Sequence, residues 1–241
     1  MTIKTGHTFT FTSWNKPLAY LVGVYLSDGS VHEPSGRMKI FTHSSIDKEF
    51  MDKTASALQV ILPTTTIRQR VIVRTKVAAS SLAKRFTSAI HEVTVSNTEF
   101  CDWLQNITNF KTTVPILPKE LMIHLLSAFI DGDGYISIFK DRRRIQTQHA
   151  HLRCYMAGIC GKGPKMPLIV KAFISIGVKL GCKTIGKRDV ETYSVQLSTL
   201  AESGVCFAIT RKFFRFCEYV NQVKPSTTIR RTLIYTSDDI V

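Results

Sequence analysis

Hydrophobic spacing along the chain changes period several times, and each change marks the edge of an element. Residues 17–28 form an almost unbroken apolar run that opens on Pro17 and ends at Asp28-Gly29. Residues 118–133 do the same, opening on Pro118 and ending at Asp133-Gly134. Proline near the start and glycine just past the end are helix-boundary signals, so both runs are predicted helices. After each, the period shortens to two. Strand pairs are predicted over 29–33 with 37–43, around the turn Pro34-Ser35-Gly36, and over 135–140 with about 149–159. Helical spacing returns at about 47–60 and 167–180. A second strand pair follows in each half, 66–76 with 86–96 and 183–189 with 191–198, then a closing helix at about 97–106 and 211–223.

Each half therefore reads α-β-β-α-β-β-α, and the sequence itself repeats. Leu26-Ser27-Asp28-Gly29 returns as Asp131-Gly132-Asp133-Gly134, 105 residues later. Lys53, Leu58, Val60, Leu62, Thr66, Ile67 and Arg70 return as Lys171, Ile176, Val178, Leu180, Thr184, Ile185 and Arg188, at a constant offset of 118. Phe100-Cys101-Asp102-Trp103-Leu104 resembles Phe216-Cys217-Glu218-Tyr219-Val220. The order is kept and loop lengths change. The expected fold class is α+β, with two pseudo-symmetric αββαββα repeats, residues 1–112 and 113–241, each carrying an antiparallel sheet.

The strands alternate chemically as well. Arg68, Arg70, Arg74 and Lys76 share one face of their strand, with Val71 and Val73 on the other. Arg37 and Lys39 oppose Met38 and Ile40; His151, Arg153 and Tyr155 oppose Leu152, Cys154 and Met156. One face is predicted core and the other a row of cations and amides. Across 241 residues, 32 Lys+Arg stand against 18 Asp+Glu, a net charge of +14. Ordinary solvated faces mix signs, whereas these are almost purely positive, which favours DNA or RNA as partner.

Composition excludes other classes. With 44% hydrophobic residues the chain can bury a sizeable core. The uncharged apolar stretch at 18–27 is far shorter than the roughly 20 residues a membrane span needs, so no membrane partner is expected. No secretory or transit pattern opens the sequence, so an intracellular protein is expected, organelle-encoded if it acts in an organelle. The six cysteines are scattered without a C-x-x-C pair. They read as reduced, mostly buried thiols rather than a zinc ribbon or disulfide framework.

Small residues recur one turn apart in each Asp-Gly helix, Gly23 and Ser27 in the first, Ala128 and Gly132 in the second. That spacing lets two backbones approach along one seam. Packing the repeats on the seam sets Asp28 beside Asp133, with Gly29 and Gly134 as left-handed helix ends. Two carboxylates at two helix C-termini repel each other and the negative ends of both dipoles. Divalent cations remove the conflict, and a hard, oxygen-rich site suits Mg²⁺. A lone Asp-Gly is an ordinary capping turn. Two of them in matched repeats beside basic strands point to phosphodiester hydrolysis, where metal activates water and stabilises the leaving oxygen.

Leu21-Val-Gly-Val-Tyr-Leu-Ser-Asp28-Gly29 and Leu126-Ser-Ala-Phe-Ile-Asp-Gly-Asp133-Gly134 resemble the paired motifs of single-chain LAGLIDADG homing endonucleases. The resemblance spans nearly the whole chain, with two departures: Leu26 replaces the motif's first Asp, and Ala128 its central Gly. It implies a saddle of two antiparallel sheets on double-stranded DNA, with the motif helices packed at a pseudo-two-fold axis, in a monomer without obligate protein partner. It implies cleavage of both strands across the minor groove to leave short 3′ overhangs, using two or more Mg²⁺ ions bridging Asp28 and Asp133. The backbone carbonyls of Ser27 and Gly132 would help hold metal. A lysine near the scissile phosphates follows the second strand pair in each half, where Lys111 and Lys224 match. His43, ending the second strand, is positioned to order a catalytic water, although its counterpart is Gly161. Two alternatives share the scaffold: an RNA maturase assisting its intron RNA, and a catalytically silent DNA-binding regulator.

Strands of about ten residues reach ~33 Å, close to ten base pairs per half, so an asymmetric site of roughly twenty base pairs is expected. Arg68, Arg70, Arg74, Lys76, Arg153, Gln146, Gln148 and Gln196 are the expected base or phosphate readers. Arg37, Lys39, His151, Lys187 and Arg188 join the same DNA-facing set. Lys140, Arg142, Arg143 and Arg144 read as a phosphate-contacting hairpin loop.

Overall fold

The helix α1 (Lys16–Leu26) is apolar all round and buried all round, from Leu18 through Leu26. Its start is fixed by the Asn15 side chain, which accepts the Leu18 amide at 2.9 Å, and by Pro17 in the first turn. The computed structural model describes residues 9–34, 36, 38–77, 85–140 and 153–223. After α1 come β1 (Ser30–His32), β2 (Ile40–Ser45), α2 (Lys48–Ile61), β3 (Ile67–Val77), β4 (Arg85–Ser96) and α3 (Thr98–Ile107). The second half opens with α4 (Lys119–Asp133), then β5 (Gly134–Lys140), β6 (Arg153–Gly161), α5 (Lys165–Ser175), β7 (Leu180–Ile185) and β8 (Glu191–Val195). It closes with α6 (Leu197–Ser203) and α7 (Thr210–Val223).

Both sheets are antiparallel and have the same order, β1-β2-β4-β3 and β5-β6-β8-β7. Their registers match row for row. Val31 pairs with Phe41, Phe41 with Val95 and Val95 with Ile67; in the second sheet Ile136 pairs with Ala157, Ala157 with Val195 and Val195 with Leu180. Each row is the apolar spine that its own half's helices cover. Because one face is covered, a slip of one residue would turn every one of these side chains to solvent.

The halves meet where α1 crosses α4. A Cβ on Gly23 would collide with the Leu125 carbonyl oxygen and stand 2.9 Å from the Ala128 Cβ; one on Gly132 would collide with the Ser27 side chain. The small-residue seam expected from the spacing is therefore the crossing itself. It lets the backbones approach to where larger side chains would hold them apart, and the C-terminal ends of both helices arrive together.

Several expectations are corrected. Gly29 and Gly134 are not left-handed: Gly29 is absent from the positive-φ residues and Gly134 is extended at φ −104°. Glycine is required there for room, since a Cβ on Gly29 would lie 2.9 Å from the Tyr25 Cα and one on Gly134 would strike Ile130. α5 ends at Ser175 rather than near 180, because Gly177 turns left-handed at φ 96° and the Val178 amide closes back on Phe173. Val71 and Val73 are not core but 58% and 66% exposed, because β3 runs past the helices that cover its inner face. β6 alternates in the opposite phase: Ala157 and Ile159 are buried, Tyr155 packs on Tyr219 of α7, and Met156 is 42% exposed. The helix α6 was not expected at all. Nor are the thiols mostly buried: of the described ones only Cys101 is, while Cys182 is exposed.

The crossing makes a sharp test. Gly23→Ala places a methyl against backbone, which cannot turn aside, and is expected to destabilise by about 1–3 kcal/mol or more. A urea midpoint unchanged from wild type would refute the close approach.

Candidate active site

Asp28 lies two residues past the end of α1, and Asp133 is the last residue of α4. The crossing brings them to one place. A Cβ on Gly132 would sit 3.1 Å from the Asp28 Oδ2. Both carboxyls are pushed above the ordinary range. For Asp28 the main cause is desolvation by surrounding protein, followed by the charge of Asp133; for Asp133 it is desolvation, opposed by Lys165. Ser27 and Gly132, expected to lend carbonyls, each precede an acid and pack closely on one another, with the Ser27 hydroxyl donating to the Gly23 carbonyl at 3.0 Å.

Three ammonium groups converge on these helix ends. Lys111 donates to the Ser27 carbonyl at 3.4 Å and the Gly29 carbonyl at 2.5 Å, over the Tyr25 ring. Lys212 donates to the carbonyls of Ile130, Asp131 and Gly134. Lys165 donates to the Leu26 carbonyl and lies 3.5 Å from the Asp133 carboxylate. Cations belong at helix C-termini, where they offset the negative dipole end. The crowding has a cost: burial first, then Lys165, lowers Lys111 to about 8.

Lys111 is delivered by a strained turn. Asn109, Phe110 and Lys111 are all left-handed, at φ 41°, 53° and 68°, a conformation that costs non-glycine residues roughly 1–2 kcal/mol each. Bonds from the Phe110 amide to Gln105 at 2.8 Å and from the Thr113 amide to Thr108 at 2.9 Å hold it. Phe110 is left 62% exposed.

The sequence reading missed Lys165, Lys212 and Asp131. Asp131 fills the motif position occupied by Leu26 in the first copy, and that asymmetry was its signal. Its carboxylate is 2% exposed and accepts the amides of Ala208 at 2.7 Å and Ile209 at 3.3 Å, anchoring the segment that enters α7. Burial pushes it up to about 6. The same end of α7 ties the halves together: Arg211 forks onto Asp47 at 2.8 and 2.7 Å, and Thr210 donates to Glu49 at 2.7 Å. A cleft of about 490 Å³ opens beside it, bordered by Asp28, Ser44, Tyr135, Ser137, Arg211 and Arg215.

His43 is fully buried. The Thr54 hydroxyl donates to the Phe50 carbonyl at 2.9 Å, so His43 Nδ1–H donates to Thr54 at 3.0 Å, and Nε2 is left as a buried acceptor with no partner among the described residues. Lys224 lies outside the described residues.

Among the proposed DNA contacts, Arg68 is exposed on the open face of the first sheet. Arg70 shares that face but pairs with Glu92 at 2.5 Å, so the face is less uniformly positive than expected. Lys39 turns to α3, with its ammonium on Asp102 at 2.5 Å and Gln105 at 2.9 Å. Arg74 and Lys76 pair through their backbones with Ser88 and Phe86, and Lys140 with Arg153. Lys187 and exposed Arg188 form a turn at the β7–β8 tip rather than part of a strand, and Gln196 is the N-cap of α6. Arg37, Arg142, Arg143, Arg144, Gln146, Gln148 and His151 lie outside the described residues. No described helix is long and apolar enough to cross a membrane.

Paired four-stranded sheets around two crossed, acid-tipped helices have close structural parallels. The fold is that of the LAGLIDADG endonucleases. The LAGLIDADG meganuclease I-AabMI, bound to uncleaved DNA, superposes with a TM-score of 0.53 at 12% identity, over 93% of this chain and 100% of that one. I-DmoI, in complex with DNA and Ca, gives 0.50 at 11% over 78% and 87%. The full-length DUF199/WhiA from Thermatoga maritima gives 0.50 at 14% over 95% and 68%. No family model and no curated protein matches the sequence. The LAGLIDADG fold thus persists here at identities where sequence comparison is silent.

The buried imidazole predicts a pH effect. Burial, then the charge of Lys111, lowers His43 to about 4 from 6.5. The unfolded chain therefore binds the extra proton between these values, and stability falls as pH drops through that window. Between pH 7 and 5 in urea titrations, wild type should lose on the order of 1–2 kcal/mol more than His43→Gln. Equal losses would exclude a neutral buried His43.

Proposed function

We propose that the protein is a site-specific endonuclease of double-stranded DNA, a monomer that hydrolyses both strands of a long asymmetric site with Mg²⁺ held at Asp28 and Asp133. The observation that carries this reading is the meeting of two carboxylates at two helix ends, crowded by cations and open on one side to a cleft. Structural scaffolding alone gives no reason to assemble like charges at such a cost.

The donor set fits a hard divalent ion. It offers two carboxylates and the Ser27 and Gly132 carbonyls, and the missing side chain at Gly132 keeps the space against Asp28 open. Among the described residues no group of three or more His, Cys, Asp or Glu forms a closed cage. A site with few protein ligands suits Mg²⁺, which keeps waters and takes phosphate oxygens. When bound, the metal supplies an acidified water and a counter-charge for the phosphate. The chain's own residues do the rest. Asp28 and Asp133 fix the reaction centre on the pseudo-two-fold, and Lys111, while protonated, offsets the negative charge that builds on phosphorus oxygens. His43 stays neutral, packed on Phe50 and bonded to Thr54, within reach of the Lys111 charge.

The open sheet faces are read as the DNA surface, with Arg68 and Arg70 contacting phosphates or base edges. β3 and β4, 11 and 12 residues long, support a reach of about ten base pairs for the first half. Roughly twenty base pairs, short 3′ overhangs and an intron-encoded origin belong to the same proposal.

Cleavage of a randomised duplex library with Mg²⁺, followed by sequencing of the ends, tests it. Discrete staggered cuts are expected, with at least a hundredfold loss in Asp28→Asn and in Asp133→Asn while duplex binding persists. Tight duplex binding without cutting in any divalent metal would instead indicate a silent regulator. Weak duplex binding beside tight binding of structured intron RNA would indicate a maturase.

A further inference from the structure

The three lysines at the helix ends are not equivalent. Lys111 and Lys212 donate to backbone carbonyls of their own halves. Lys165 starts in the second half, spans the pseudo-two-fold to the Leu26 carbonyl of the first, and is the one described ammonium of the three within 4 Å of a site carboxylate, that of Asp133. No described cation comes as close to Asp28. Its side chain is only 12% exposed and lies against the Phe129 ring, so a half-buried, directed charge is held there.

The first half has no counterpart. At the offset of 118 that carries buried Met51, Thr54, Ala55 and Leu58 of α2 onto Ile169, Ala172, Phe173 and Ile176, the matching residue is Asp47, of opposite sign and committed to Arg211. Pseudo-symmetry therefore fails at the acids themselves. Among the described residues, Asp133 has an ammonium within 4 Å, whereas Asp28 feels Lys212, Lys111 and Lys165 only from farther away.

Resting on the nuclease reading of this site, we propose that Lys165 is a built-in counter-ion of Asp133 that competes with divalent cations, so that the two acids load unequally, Asp28 first. A unit positive charge 3.5 Å from a carboxylate weakens any cation bound to the same oxygens, and a half-buried setting screens it poorly. Lys165 is a positioning residue with a second effect: once displaced, its ammonium remains tethered beside the centre. The strand served by Asp28 is accordingly nicked first.

Mn²⁺ binding to the DNA-free protein, followed by electron paramagnetic resonance of the unbound ion, separates the roles. In an Asp28→Asn background, adding Lys165→Met is expected to tighten Mn²⁺ roughly tenfold, with Lys165→Gln close behind and Lys165→Arg near wild type. In an Asp133→Asn background the same substitutions should change affinity less than twofold. Lowered thermal stability with unchanged affinity would make Lys165 a structural strut only and overturn the proposal. Equal effects in both backgrounds would overturn it too, since the charge would then act on the whole site. Strand-specific labels on a cleaved duplex then report the order of nicking. If the binding differences appear but no duplex is cut, the counter-ion assignment stands and the nuclease reading falls.

Discussion

Everything in this molecule depends on how closely α1 and α4 approach. Gly23 against Leu125 and Ala128, and Gly132 against Ser27, remove the side chains that would otherwise hold two helices apart. Close approach has a direct electrostatic consequence. The same geometry that buries an apolar seam brings two C-terminal dipole ends and two carboxylates together, and these must be compensated. The packing thus creates the electrostatic problem, and the surrounding elements are arranged to meet it.

They meet it unevenly. The second half supplies Lys165, Lys212, the buried Asp131 and the α7 turn that reaches Asp47 and Glu49; the first supplies Lys111 from a turn of three left-handed residues. Asp131 and Leu26 occupy the same motif position, and this one difference decides how each closing helix is held: α3 is capped by its own Asn97, whereas the segment entering α7 is anchored from the motif helix. In the second half the Asp131 carboxylate holds the two residues before α7, Ala208 and Ile209, by their amides. In the first, an apolar residue fills the core and Lys165 takes the free carbonyl.

Much of this was legible in the sequence. Apart from α6, the element order, the antiparallel pairs, the seam residues and the placement of Asp28 and Asp133 all follow from periodicity and from the repeat, because each depends on local spacing. Phase in β6 did not. Tyr155 and Met156 can both pack against apolar surface, and nothing within the strand says which one a helix will cover. Val71 and Val73 carry a correct alternation but an incorrect burial, since burial depends on how far the helix layer extends. Lys165 and Lys212 were invisible for a different reason. Their partners are backbone carbonyls 139 and 78 to 82 residues away, and a carbonyl leaves no mark on a sequence.

The uneven supply of counter-charge limits what the N-terminal half could do alone. Its seam is self-complementary, and a homodimer of two such halves would set Gly23 and Ser27 of one copy against those of the other. Two Asp28 carboxylates would then face each other with the two Lys111 ammoniums as the described counter-charge, because Lys165, Lys212 and the segment anchored on Asp131 all belong to the second half. Cutting the chain between the repeats would therefore take from Asp28 the charges of Lys165 and Lys212, which the intact chain brings to it from the other half.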